Sequence, residues 1–154
     1  MKNLKQRNNT VILDIGKTHI KIILFDTINF KELVTYQTKN KILDTTPYPH
    51  FDLEFMKSFI ITSLKKISKE FPVDTIFTST HGACLVLLGK DKLILPVLDY
   101  EHDGPDEVRS EYDKTRLPFH LSGTPAMSAG LNLGAQIYWL NKGFPDEFAK
   151  VDTI

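Results

Sequence analysis

Two short runs of β-branched and apolar residues near the amino terminus constrain the fold of this chain more than any other feature. The runs cover Val11–Ile15 and Ile20–Phe25, and a short break containing Gly16 separates them. Runs of this kind, joined by a short glycine-containing break, are typical of a β-hairpin. Lys31–Thr38 follows closely and predicts a third strand. We therefore expect the chain to begin as an antiparallel sheet.

A single helix is clearly predicted after this sheet. Asp52 can cap its first free amides, and Pro72 stops it. Apolar residues recur at steps of three and four over this span: Leu53, Met56, Ile60, Leu64, Ile67 and Phe71. Residues with this spacing share one face of a helix, so the helix is expected to pack on the sheet.

The second half of the chain predicts further strands and then helices. A buried strand is expected at Thr75–Ser79, and strands at Cys84–Leu88 and Leu93–Leu98 are expected to flank a turn at residues 89–91. Helices are expected from Asp103 onward, with Pro105 in the first turn, at Leu131–Leu140 and at Pro145–Val151. This order predicts a mixed α/β fold with one central sheet.

Composition excludes several classes of protein. The 154 residues are 42% hydrophobic and 25% charged, a balance typical of a globular chain. The 19 basic and 19 acidic residues cancel, so no general attraction to nucleic acid or to an anionic membrane is expected. Cys84 is the single cysteine, which excludes an internal disulfide. No apolar run approaches the roughly 20 residues of a membrane span. A cytoplasmic location is expected.

The break between the first two strands carries polar residues suited to phosphate. Gly16 lets backbone amides approach an anion closely, and the Thr18 hydroxyl can donate to a phosphate oxygen. Lys17 and Lys21 supply positive charge, and Asp14 can hold a magnesium ion through water. The same residues could also form an ordinary hairpin turn with solvated lysines. The spacing of a Walker loop is absent, and a strand follows where that loop has a helix.

The pattern Asp14-x-Gly16-x-Thr18-x-x-Lys21 resembles the first phosphate motif of the actin, Hsp70 and sugar-kinase superfamily. Within that superfamily, Asp-Ile-Gly-Lys-Thr is similar to the form found in rhamnulokinase- and fuculokinase-like kinases of the FGGY carbohydrate-kinase family. The resemblance implies a ribonuclease-H-like fold, in which the hairpin surrounds the phosphates of ATP and the aspartate serves Mg²⁺.

A second segment resembles the sugar-binding side of FGGY kinases. His81 and Gly82 match a polar loop after a strand, Tyr100 matches an aromatic position, and Glu101 matches its polar neighbour. The resemblance implies that these residues line a pocket for a sugar or polyol. The alternatives are that His81 is a structural residue at a strand end and that Tyr100 is a core or rim residue. Gln136 stands where relatives commonly have lysine.

The resemblance also implies that residues 1–154 are the amino-terminal part of the first lobe of such a kinase, with the second lobe absent. The base aspartate is expected beyond Ile154, so the intact protein would phosphorylate a sugar or sugar alcohol while this part alone is inactive. The full-length protein could form a homodimer. Three alternatives stay open: another phosphotransferase or phosphatase of the superfamily, a non-catalytic sugar-binding or interaction fragment, and an actin-like scaffold.

Overall fold

The chain divides into two compact units in a computed structural model, which describes residues 8–154. The first unit contains the described residues up to Lys41 together with Asp52–His81. The second unit contains Ile42–Phe51 and Gly82–Ile154. Each unit has a hydrophobic core of its own.

A four-stranded sheet forms the first unit, and its strands are β1 (Asn9–Ile15), β2 (His19–Asp26), β3 (Lys31–Lys39) and β6 (Thr75–Thr80). They lie in the order β3-β2-β1-β6. β2 pairs antiparallel with both β1 and β3, while β6 pairs parallel with β1. The predicted hairpin and third strand are confirmed.

The long helix α1 (Leu53–Glu70) covers one face of this sheet, packing on β2 and β3. Asp52 caps it as expected, because its Oδ1 accepts a hydrogen bond of 2.9 Å from the amide of Phe55. The side chains at the centre of this core are fully buried: Val11, Ile20, Ile22, Leu24 and Ile67. Each such side chain contributes about 1.5–3 kcal/mol when removed from water.

The strand predicted at Thr75–Ser79 is present as β6, but the prediction that it is buried is wrong. Ile76 and Phe77 are 53% and 60% exposed. β6 pairs only with β1 among the described residues, and α1 lies over β2 and β3 instead. An apolar strand sequence indicates burial only where something covers both of its faces.

Short strands and helices form the second unit. Two two-residue ladders pair β4 (Ile42–Leu43) with β5 (His50–Phe51) and β7 (Leu88–Gly89) with β8 (Lys92–Leu93). The helices are α2 (Arg109–Thr115), α3 (Phe119–Ser122), α4 (Leu133–Gly143) and α5 (Pro145–Phe148), and 3₁₀-helices span Gly104–Val108 and Ala129–Leu131. The core of this unit contains Tyr48, Leu85, Leu87, Leu95, Leu98 and Leu140.

The strands predicted at Cys84–Leu88 and Leu93–Leu98 are mostly wrong. Regular strand pairs form only at one end of each segment, as the two-residue strands β7 and β8, while Leu88 and Leu98 also form isolated bridges with Thr153 and His50. Leu85, Leu87 and Leu95 are nevertheless buried, because they pack into the core as irregular chain. An alternating apolar pattern indicates that one side of a segment is buried. It does not show that another strand pairs with that segment.

The predicted turn of this unit is present, and so are its helices, but α5 ends at Phe148 and not at the predicted Val151. Lys90 and Asp91 turn the chain with φ angles of 50° and 61°. Pro105 lies at the start of the first 3₁₀-helix as expected. Asn132 caps α4, which therefore begins two residues after the predicted Leu131. Within residues 8–154, the structure contains no helix that combines the length and apolarity needed to cross a bilayer.

Candidate phosphate and sugar sites

The loop between β1 and β2 is a tight turn in which a side chain in place of Gly16 would be crowded. The Gly16 amide donates a hydrogen bond of 2.9 Å to the carbonyl oxygen of His19. A Cβ atom on Gly16 would lie 3.1 Å from that same oxygen, closer than most side chains tolerate. Thr18 is exposed at the tip of the loop, and Lys17 is half-buried. The loop therefore presents a hydroxyl and an ammonium group over a narrow backbone turn.

Asp14 and Lys21 lie side by side on the face of the sheet opposite α1. They are direct partners in the β1–β2 register. On either side, Asp14 is the partner of Ser79 on β6, and Lys21 is the partner of Gln37 on β3. These four residues form a polar row across the strands, and the antiparallel partners in such a row have Cβ atoms about 4.5–5.5 Å apart. The structure thus brings together the carboxylate and one lysine of the predicted motif. Ser79 and Gln37 were not predicted to belong to this row, because their places beside Asp14 and Lys21 depend on which strands pair.

The polar row is suited to Mg²⁺ only if water and phosphate oxygens supply most of the ligands of the ion. Among residues 8–154, no group of three or more histidine, cysteine or acidic residues could hold a metal ion. A single half-buried carboxylate such as Asp14 suits Mg²⁺ because that ion keeps several waters and takes further ligands from phosphate.

His81 follows β6 at the end of the first unit. Burial lowers the pKa of His81, and the positive charge of Lys17 lowers it further. A neutral imidazole has one donor and one acceptor nitrogen, which suits a sugar hydroxyl because a hydroxyl can both donate and accept a hydrogen bond. The preceding residue, Thr80, donates from Oγ1 to the carbonyl of Ile15 at 3.1 Å, so it links the end of β6 to the end of β1.

The other predicted sugar residues belong to the second unit. Gly82 and Glu101 are exposed and Tyr100 is half-buried. The Tyr100 ring lies 6.4 Å from the ring of Phe51. The Glu101 amide donates to Asp99 Oδ1 at 3.1 Å, which shapes the turn that carries Glu101.

Gln136 ties the two sugar-side segments of the second unit together. This side chain is fully buried in α4, and its Nε2 donates to the carbonyl of Ala83 at 2.7 Å and also to the carbonyl of Gly130. The Gly130 amide in turn donates to the carbonyl of Tyr100 at 2.9 Å. The segment after Gly82 and the segment of Tyr100 are thus connected through the Gln136 side-chain amide and the backbone of Gly130. This role of Gln136 was not predicted, and the feature of the sequence that could have indicated it is a polar residue within the apolar stripe of α4.

A cavity of about 420 Å³ lies beside these segments within the second unit. Its lining includes Gly82, Tyr112, Asn132 and Gly134. The Tyr112 hydroxyl donates to Asn132 Oδ1 at 3.1 Å and occupies the space that a side chain at Gly134 would need. A cavity of this volume is large enough for a sugar-sized molecule.

Solved structures similar to this chain include a carbohydrate kinase, a xylulose kinase and a glycerol kinase. A carbohydrate kinase from Novosphingobium aromaticivorans is 31% identical, with a TM-score of 0.85 over 94% of this chain and 30% of that protein. A xylulose kinase from Lactobacillus acidophilus is 14% identical, with a TM-score of 0.76 over 94% of this chain and 30% of that protein. A glycerol kinase from Plasmodium falciparum, solved with ADP, is 13% identical, with a TM-score of 0.70 over 92% and 30%.

The resemblance to FGGY-type carbohydrate kinases is confirmed. The ribonuclease-H-like fold of the sugar-kinase superfamily is confirmed with it, since these kinases share the mixed sheet with flanking helices. The glycerol and xylulose kinases support the fold alone. The chain spans about 30% of the length of the carbohydrate kinases that it matches. No protein-family model matches the sequence, and no curated protein matches it either.

Proposed function

We propose that this chain is the amino-terminal part of the first lobe of a carbohydrate kinase that transfers the γ-phosphate of MgATP to a sugar or sugar alcohol. The observation that carries the proposal is the polar row beside the hairpin loop. Asp14 and Lys21 are neighbours there, and Thr18 lies at the loop tip. Phosphoryl transfer needs little covalent chemistry from the protein, and such groups supply positioning and charge neutralisation.

Each residue has a distinct role in this proposal. The turn at Gly16 brings backbone close to the phosphates, and Lys17 and Lys21 offset their charge. Asp14 holds the magnesium ion through water. The ADP in the similar glycerol kinase supports ATP as the phosphate donor. The ion itself would neutralise charge that develops on the transferred group.

The sugar side is proposed to consist of His81, Gly82, Tyr100 and Glu101. A polyol is recognised by a few fixed donors and acceptors on a rigid support. Gln136 provides that support in the second unit, since it holds the segments of Gly82 and Tyr100 through Ala83 and Gly130. The carbohydrate kinases among the similar structures support a sugar or polyol as the acceptor.

The open edge of the sheet supports the proposal that the first lobe contains further chain. β6 pairs with β1 alone among the described residues and exposes Ile76 and Phe77. An uncovered apolar edge strand is a place where further chain is expected to pair or pack. The base aspartate and the adenosine pocket are proposed to lie in that further chain, and a homodimer and a cytoplasmic location remain expectations for the whole protein.

Purified full-length kinase containing this chain provides the test. ADP release is measured against a panel of ketoses, aldonates and polyols, with and without Mg²⁺. We expect one class of acceptor to raise ATP turnover well above the value without acceptor. His81→Ala should raise the KM for that acceptor and leave acceptor-independent ATP hydrolysis unchanged, while the exposed histidine change His120→Ala on α3 should alter neither. Turnover that no acceptor stimulates would contradict the proposed reaction.

A further inference from the structure

Asn40, in the connection after β3, makes two hydrogen bonds to the loop between β1 and β2 and a third that orients its own side chain. Its backbone amide donates to the carbonyl of Thr18 at 2.8 Å. Its side-chain Nδ2 donates to the carbonyl of Gly16 at 2.9 Å. Its Oδ1 accepts from the amide of Lys41 at 2.9 Å, which fixes the orientation of the side-chain amide. Asn40 is half-buried and lies 24 residues from Gly16 in the chain.

These bonds set the direction of two peptide groups in the loop. A trans peptide group is planar, and its carbonyl and amide point in opposite directions. When Asn40 holds the carbonyls of Gly16 and Thr18 on its own side, the following amides of Lys17 and His19 are turned to the other side. The backbone of the loop is thereby held in one arrangement before any anion arrives.

We propose that Asn40 is the positioning residue of the phosphate-binding loop. This inference rests on the proposed function, because it assigns to Asn40 the orientation of a loop that receives the phosphates of a nucleotide. Asn40 need not touch the phosphate itself. Preorganised donors bind an anion more tightly than mobile donors do, because mobile donors lose conformational entropy when the anion orders them. Loss of the Nδ2 bond should therefore weaken anion binding.

The test uses the 154-residue chain and inorganic tripolyphosphate with Mg²⁺ as the probe. Backbone amide resonances of residues 16–19 are followed by NMR during titration. Asn40→Asp keeps the acceptor oxygen and replaces the Nδ2 donor with an oxygen that repels the Gly16 carbonyl, and Asn40→Ala removes both groups. We expect each change to weaken binding by about tenfold, as expected for loss of one well-placed hydrogen bond.

A matched control lies at the opposite end of β1. Asn9 also donates from Nδ2 to a backbone carbonyl, that of Pro72, at 2.8 Å. Asn9→Ala should lower stability by a similar amount and leave tripolyphosphate affinity unchanged. Urea unfolding of all variants separates this loss of stability from the loss of binding. If Asn40→Asp does not fold, the affinity of Asn40→Ala decides the question.

Two results would overturn the inference, and only the second of them would also refute the proposed phosphate loop. If the wild type shows shifts confined to residues 16–19 and both Asn40 variants bind with unchanged affinity, Asn40 is only structural and the proposed function stands. If the wild type shows no such shifts, or shifts spread over exposed lysines throughout the chain, the phosphate loop itself is refuted and the positioning role fails with it.

Discussion

Replacement of Gln136 by methionine should destabilise the second unit by about 2 kcal/mol. Methionine has nearly the same length and volume, so little cavity forms. The change removes the donor to the carbonyls of Ala83 and Gly130. Losing a hydrogen-bond partner costs about 1–3 kcal/mol for a buried group, and less for the half-buried Ala83 carbonyl. Part of this loss is offset because Gln136 Oε1 is buried without a hydrogen-bond partner among the described residues.

Urea unfolding with hydrogen exchange provides the assay for this prediction. Gln136→Glu should be more destabilising than Gln136→Met, because a carboxylate would face the two carbonyls. Gln37→Met is the control, since Gln37 is exposed on β3 and should change stability by less than about 0.5 kcal/mol. The Gly130 amide, which donates to Tyr100, should exchange faster in both Gln136 variants. If Gln136→Met unfolds within about 0.5 kcal/mol of the wild type and Gly130 stays protected, the linking role is refuted.

Three further predictions concern packing, pH and activity. Gly134→Ala should lower the unfolding free energy by about 1–3 kcal/mol because the Tyr112 hydroxyl occupies the required space, whereas Gly143→Ala in the same helix meets no atom within 4 Å and should be neutral or stabilising. The pKa of His81 is lowered on folding, so below its ordinary value of 6.5 the unfolded chain binds more protons. The urea midpoint should therefore fall as pH drops through that value, and His81→Gln should reduce the fall; an equal fall in both would contradict this. The 154-residue chain alone should show no sugar-dependent ATP turnover, and turnover above a control without protein would refute that expectation.

Local patterns predicted the elements that depend on neighbouring residues. The hairpin follows from two apolar runs around Gly16, and α1 follows from its apolar stripe and the cap at Asp52. In both cases the residues that determine the structure lie within one element or in its adjoining turn. The residues proposed to bind phosphate come from the same kind of local pattern, since all five fall within eight positions of the chain.

Features that depend on distant parts of the chain could not be predicted. Leu85 and Leu95 are buried without a strand partner, which the alternating pattern does not reveal. Ile76 is exposed because α1 covers other strands. Asn40 contacts a carbonyl 24 residues away, and Gln136 contacts one 53 residues away. A single polar residue carries no sequence pattern that identifies such a distant partner.

Turnover of the full-length protein carrying Asp14→Ala tests the proposed kinase activity most directly. A carboxylate that holds the magnesium ion stabilises charge developing during transfer, so its loss should lower kcat by about 10²–10³-fold. Sugar affinity should change far less. Asp26→Ala is the control, since Asp26 lies at the opposite end of β2 in an exposed turn with Asn29 and should leave kcat unchanged. If folded Asp14→Ala keeps near-normal kcat, the hairpin is only a turn and the proposed phosphate site is refuted.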